Sequence, residues 1–441
     1  MPTLAKLAYG IGIFGPMMGW VAAMQYLMYF YTEVIGLEPT QAGLVFLIGM
    51  AWDAISDPLI GTVADRTRTR WGRYRPYLLF GALPYGASIA WLFTPADGNS
   101  ATVFLAVLAA HIAFRTGYTL VYMPYTAMIA RMTVDYDSRT TLTAYKTFFI
   151  FSANLTVSFS FYPLVMSLGD GVEAQGFLPA AALFGVIAAI TVWACFWFTD
   201  ESALRHNDGT VTAPLRSIPG DMWANGPFLR VFAGVAIAGG FYGAELAMVP
   251  YIAKYWFNDA ALSRALFTTQ AVLSLLSVPV WLWLGRRYGK RFVWVAGTAL
   301  AGLSLLVLFA LESRSVPLTA LLYGLNNIGA TGFILIFYAM AADTVDWGEA
   351  ATGRRHEGVV FGAISFANKF AAGIATASIG VALAAVGFVS DLQQSEATLT
   401  GIRLIALVAP AGGFLVSALL MLGYPLTRQV HADALATKGG A

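Results

Sequence analysis

Twelve long apolar stretches constrain this chain more than anything else in its sequence; they lie near 8–34, 39–64, 76–94, 102–130, 142–167, 177–199, 228–256, 262–284, 291–311, 317–342, 357–387 and 400–426. About 20 apolar residues wound as an α-helix match the roughly 30 Å hydrocarbon core of a bilayer. With no water in that layer, backbone N–H and C=O groups must be paired within the protein, and apolar runs of this length do so as helices. Composition agrees, with 58% hydrophobic and 11% charged residues, where soluble domains carry about one quarter charged. The expected fold class is all-α integral membrane, with twelve transmembrane helices in a lipid bilayer.

The longest polar interval between these stretches, Asp200 to Pro227, divides them six and six and holds Pro214, Pro219 and Gly220, which suit a linker. The predicted organisation is a six-helix bundle over 1–199, a cytoplasmic linker over 200–227, a second bundle over 228–428 and a short cytoplasmic tail over 429–441. Counting basic residues tests the orientation. Of the 26 lysines and arginines, Lys254, Arg264, Arg314 and Arg403 fall on one side and Arg115 and Lys369 inside spans, leaving 20 on the other. Positive charge concentrates on the cytoplasmic side. Both termini are therefore expected inside, and no removable signal peptide is read at the N-terminus.

Two basic loops occupy corresponding places in the halves. One follows the second span and contains Gly61, Asp65, Arg66, Arg70 and Arg73; the other runs from Gly285 to Arg291 after the eighth. They point to an internal repeat, an arrangement in which two halves rock about a central site, and the residues named in the first are candidates for a gating or structural loop. Membrane anchoring alone is the plainer reading of the same arginines.

Ionisable side chains at membrane depth cost about 2.5–3.5 kcal/mol on insertion scales, so each demands a reason. Asp53 and Asp57 lie four residues apart in the second span, which puts both carboxylates on one helix face. Such a pair either shares a proton or binds a hard cation through oxygen, as Na⁺ or Li⁺ prefer. The alternative is a salt bridge to Lys369 or Arg115 that only ties helices together. In the fourth span Arg115, Tyr118, Thr119 and Tyr122 fall at i, i+3, i+4 and i+7, one face that could line a solute cavity. Aromatic rings stack on sugars, and a buried guanidinium suits an anion. A packing seam with Arg115 paired to Glu245, an acid near the middle of the seventh span, fits the pattern equally well. Gln25, Tyr26 and Asn368 are further polar positions within spans, and His111 lies one turn before Arg115.

Other classes are excluded by what the sequence lacks. The basic residues form short clusters, with no extended surface for nucleic acid. The one cysteine, Cys195, sits in an apolar run and cannot form an internal disulfide. No nucleophile elbow, metal-spaced histidines or glycine-rich phosphate loop is present, so no enzymatic activity and no cofactor are expected.

Several segments in order carry a resemblance: Lys6-Leu-Ala-Tyr-Gly-Ile-Gly12, Tyr26-Leu-Met-Tyr-Phe-Tyr-Thr32, Trp52-Asp-Ala-Ile-Ser-Asp-Pro58, Arg70-Trp-Gly-Arg-Tyr-Arg-Pro76, Ala342-Asp-Thr-Val-Asp-Trp-Gly-Glu349 and Gly353-Arg-Arg-His-Glu-Gly358. Together with Lys369 they resemble the glycoside–pentoside–hexuronide:cation symporters, the melibiose-carrier family of the major facilitator superfamily. The resemblance implies the major facilitator fold of two six-helix bundles in a bacterial cytoplasmic membrane. It implies alternating access, a functional monomer, and a monovalent coupling ion, Na⁺, Li⁺ or H⁺, carried with a small-molecule solute. It matches Asp53 and Asp57 to cation-binding carboxylates, Thr119 to a hydroxyl beside the cation, and Lys369 to a lysine that couples cation and sugar sites. Asp343, Asp346, Glu349, Arg354 and Arg355 match its second cytoplasmic loop motif.

Two departures bear on the solute. The melibiose carriers clamp a galactoside with acids that here become Met17 and Tyr122, and the family's helix-5 arginine corresponds to Lys146. The expected cargo is a sugar or glycoside-like solute, anionic or aryl-substituted, met by Arg115, Tyr118, Tyr122, Met17, Gln25, Tyr26, Lys146, Glu245 and Asn368. A cation-coupled lysolipid carrier of the same superfamily is the alternative, and a non-transporting membrane sensor a more remote one.

Overall fold

A computed structural model of the chain describes residues 2–133, 136–201, 218–353 and 356–426. The described residues are almost entirely helical, with no β-strand among them beyond one isolated bridge between Thr69 and Gly72. The membrane helices are α1 (Thr3–Val34), α2 (Pro39–Arg66), α3 (Arg75–Leu92), α4 (Ser100–Met132), α5 (Tyr136–Leu168) and α6 (Glu173–Phe198). They continue with α7 (Gly226–Trp256), α8 (Leu262–Tyr288), α9 (Lys290–Leu311), α10 (Val316–Thr352), α11 (Glu357–Ala385) and α12 (Glu396–Leu422). A short helix, Ile218–Ala224, precedes α7.

Eleven of these are long and apolar enough to cross a membrane by length and composition. The remaining one, α3, has 18 residues and includes Arg75, Pro76 and Pro84, which lower its hydropathy. Pro76 sits in the first turn, where a proline removes no helical hydrogen bond, and α3 packs against α4 and α6.

The largest departure from the expected boundaries is α10. The sequence ends this span near 342, but the helix runs to Thr352 and stops at Gly353. The segment from Asp343 to Glu349 is polar, yet it contains no proline, so the hydrogen-bond ladder continues past the apolar part. The motif read as a loop is thus the last turns of α10. Arg354 and Arg355 lie outside the described residues.

Contacts divide the chain into two compact units. One comprises 1–208, 259–268 and 380–394; the other comprises 209–258, 269–379 and 395–441. Within the first, α3 packs on α4 and α6, and α1 packs on α6; within the second, α9 packs on α10 and α12, and α7 packs on α12. The same packing scheme recurs six helices later. Both α1 and α7 also end in a π-helical turn, Phe30–Val34 and Ile252–Trp256. Because π turns are rare, their recurrence at matching places is a second sign of an internal repeat.

Candidate functional site

Helices α2 and α4 run side by side in the first unit with a constant offset of 62 residues. Three rungs link them, each one helical turn from the next. At the first, Gly49 faces His111, and a Cβ on Gly49 would come within 2.5 Å of the imidazole. At the second, Arg115 Nη1 donates to Asp53 Oδ2 at 2.6 Å. At the third, Thr119 Oγ1 donates to Asp57 Oδ1 at 2.8 Å. Residues four apart lie on one helix face, so two such series in register make a ladder.

The guanidinium is held from three sides. Besides Asp53, its Nε donates to His111 Nε2 at 3.2 Å, and its plane lies 5.2 Å from the Trp20 ring centre. Accepting from arginine assigns the proton of a neutral His111 to Nδ1, which then donates to the Tyr31 hydroxyl 3.0 Å away. Arg115 and Asp53 side chains keep 12% and 8% of their accessible surface, so little water offsets either charge. A buried pair of this kind is held by its own geometry. Arg115 is thus engaged within the first unit, and Glu245, the partner also read for it from sequence, accepts at Oε1 from Gln270 within the second.

The single face read on α4 has two jobs. Arg115 and Thr119 turn to α2, whereas Tyr118 stacks on Trp20 of α1 at 4.6 Å and on Tyr122 at 5.0 Å. From α5, the Lys146 ammonium lies 5.4 Å from the Tyr122 ring centre, 5.6 Å from that of Tyr125, and 3.5 Å from Thr126 Oγ1. No carboxylate among the described residues pairs with Lys146. Trp20 was not singled out from sequence, because a lone tryptophan in an apolar span carries no pattern. Only its neighbours give it meaning.

Other expected solute residues are committed elsewhere. Gln25 Nε2 donates to Ser158 Oγ at 3.0 Å, Tyr26 stacks with Tyr162, and Met17 is buried in α1. Glu245, Asn368 and Lys369 belong to the second unit. There Glu245 is fully buried and Asn368 packs against α7 at Gly239.

The residues of the two motifs expected on the cytoplasmic side make local hydrogen bonds and ion pairs within each unit. Glu201, just beyond α6, accepts from the backbone N–H groups of Arg73, Tyr74 and Arg75 at 2.7, 2.8 and 2.7 Å. These are unsatisfied amides at the start of α3, where a carboxylate is favoured. Gly72 makes the approach, at φ 108° with a would-be Cβ 2.8 Å from the carboxyl carbon. Asp65 accepts from the Tyr74 hydroxyl at 2.7 Å; burial, then that bond, pushes the phenol up to about 12, so it remains a donor at neutral pH. Arg70 lies over Trp71, while Gly61 has open space and Arg66 is exposed. In the second unit Lys290 Nζ binds Asp343 at 2.7 and 2.8 Å. Asp346 and Glu349 follow on the same helix end, partly exposed.

Carboxylates, a guanidinium and hydroxyls set within helices long and apolar enough to cross a membrane are what a multi-pass membrane transporter presents to an ion and a solute. The chain belongs to the MFS/sugar transport protein family, whose model matches residues 8–428. It is 31% identical to the putative glycoside/cation symporter YagG of Escherichia coli (strain K12), over 95% of this chain and 91% of that one. It is 29% identical to the isoprimeverose transporter of Lactiplantibacillus pentosus, over 97% and 90%. Among solved structures, a D-xylose-proton symporter superposes with TM-score 0.70 at 15% identity, covering 96% of this chain and 98% of that one, a likeness of fold.

Proposed function

We propose that the protein is a cation-coupled symporter of the bacterial cytoplasmic membrane for a sugar or glycoside, and that its preferred cargo carries an anionic group. The coupling ion, Na⁺, Li⁺ or H⁺, binds at Asp57 and Thr119 with Asp53, since carboxylate and hydroxyl oxygens suit hard cations. Lys369 links ion and solute sites. The protein works as a monomer with both termini in the cytoplasm, by alternating access between bundles 1–199 and 228–428, with the helix ends at Asp65 and Asp343 as gates.

Lys146 carries the solute reading. The guanidinium expected to meet an anion is already engaged by Asp53. Lys146 instead stands beside the Trp20–Tyr118–Tyr122 stack with rings and one hydroxyl for company. A sugar ring laid on the aromatic rings would bring its carboxylate or sulfonate to that ammonium.

Competition uptake into proteoliposomes, comparing methyl β-D-glucuronide with methyl β-D-glucoside, tests this. Wild type favours the glucuronide, and Lys146→Gln lowers that preference about ten-fold, the equivalent of about 1.4 kcal/mol. Unchanged preference in Lys146→Gln removes the anion-binding role; competition by lysophosphatidylcholine but by neither glycoside removes the sugar.

A further inference from the structure

Glu245 lies inside α7, wholly buried, with one side-chain hydrogen bond among the described residues, from Gln270 Nε2 of α8 to Oε1 at 2.9 Å. Its second oxygen, Oε2, has no partner among the described residues. No lysine, arginine or histidine among those residues pairs with it. The titratable groups near it are phenols, Tyr242 one turn earlier on α7 and Tyr323 of α10, whose hydroxyl also lacks a partner. From α8 the facing group is the neutral Gln270. On α12, which also packs on α7, Arg403 is engaged with Glu312.

A carboxylate stripped of water and given one amide would be an uncompensated charge in a low-dielectric interior. The neutral acid fits these surroundings. Gln270 then donates to the carbonyl oxygen and Oε2 carries the hydrogen. A metal ion would need more oxygen and nitrogen ligands, and no group of three or more acidic, histidine or cysteine side chains able to hold one occurs among the described residues. A sugar would need exposed surface, and Glu245 has none. As packing alone, an acid with an unsatisfied oxygen is inferior to an apolar side chain of the same shape. A proton is the ligand that this site can take.

We propose that Glu245, positioned by Gln270, is a proton-binding site of the second unit, separate from the acids of α2, so that the transporter binds H⁺ in addition to its coupling ion. This rests on the symporter reading only in adding a second ion site to the first.

Infrared difference spectroscopy of the full-length protein in lipid vesicles reads it. At neutral pH the wild type should show a protonated-carboxyl C=O band that is lost in Glu245→Gln. Gln270→Leu keeps the acid but removes its N–H donor, so there the band should remain and shift. A spectrum unchanged in Glu245→Gln, or a band unmoved in Gln270→Leu, overturns the proposal. Sodium-minus-potassium difference bands from the same samples report separately on the α2 acids. They should persist in Glu245→Gln and vanish in Asp57→Asn, and their survival in Asp57→Asn would count against the α2 ion site alone.

Discussion

Arg115 holds Asp53 across the α2–α4 contact, Nη1 to Oδ2, at 2.6 Å. The guanidinium, read from sequence either as a ligand for a solute anion or as a salt-bridge partner of the α2 acids, offsets one of the two carboxylates of the proposed ion site. The consequence is energetic coupling between them. Asp53→Asn leaves a guanidinium at depth with His111 as its remaining polar partner, and Arg115→Gln removes a counter-charge from a buried acid. Each single change should cost about 3–5 kcal/mol. The double variant should cost less than the sum by about 2 kcal/mol or more, because neither member of the pair is left buried without the other. Thermal melting of the four purified proteins closes the cycle, and strictly additive losses would show that the pair does not act as one.

The third rung separates ion binding from that stability effect. Thr119 touches Asp57 through one hydrogen bond of 2.8 Å. Thr119→Ala should weaken Na⁺ or Li⁺ binding about five-fold, corresponding to about 1 kcal/mol, and Thr119→Ser should restore it. Asp57→Asn should abolish the cation-dependent rise in melting temperature, because only a ligand that binds the native state stabilises it. If that rise persists in both Asp53→Asn and Asp57→Asn, the ion binds elsewhere.

Much of this was legible in the sequence because bilayer physics reduces fold to length and hydropathy. The spans followed from apolar runs, and the acids of α2 stood out as charges that lipid does not tolerate unpaired. Helical spacing placed Asp53 with Asp57 and Arg115 with Thr119, one turn apart on each helix. It could not supply the register between helices. The 62-residue offset that brings Arg115 to Asp53 depends on how two helices meet, which no local pattern encodes. For the same reason Glu201 was passed over: its partners are backbone amides, and those leave no signature in side-chain identities.

The Lys290–Asp343 pair and the Glu201 carboxylate should differ sharply in strength. Lys290 and Asp343 meet at 2.7 Å, but the lysine side chain keeps 42% of its surface, so water competes for both charges. Lys290→Met should therefore lower stability by less than about 1 kcal/mol. A larger loss in the melting temperature would mean that the pair is better shielded in the membrane than its exposure indicates.

Glu201 is the stronger case. Its carboxylate is 5% exposed and accepts three backbone N–H bonds from consecutive residues, Arg73 to Arg75, closing the turn that leads into α3. Hydrogen bonds to a charged group contribute about 1.5–3 kcal/mol each, though three on one carboxylate will not add in full. Glu201→Gln keeps the shape but brings N–H atoms toward donors that need an acceptor, so a loss of about 2–4 kcal/mol is expected. Gly72→Ala should do comparable harm by another route, since its φ of 108° suits glycine and an added Cβ would crowd the carboxyl carbon at 2.8 Å. Both changes free the segment bearing the exposed Arg66, Arg68 and Arg70. Trypsin should then cut there faster than in wild type, while Lys290→Met leaves that rate unchanged. Equal cleavage rates in wild type and Glu201→Gln would show that the turn is held by something other than this carboxylate.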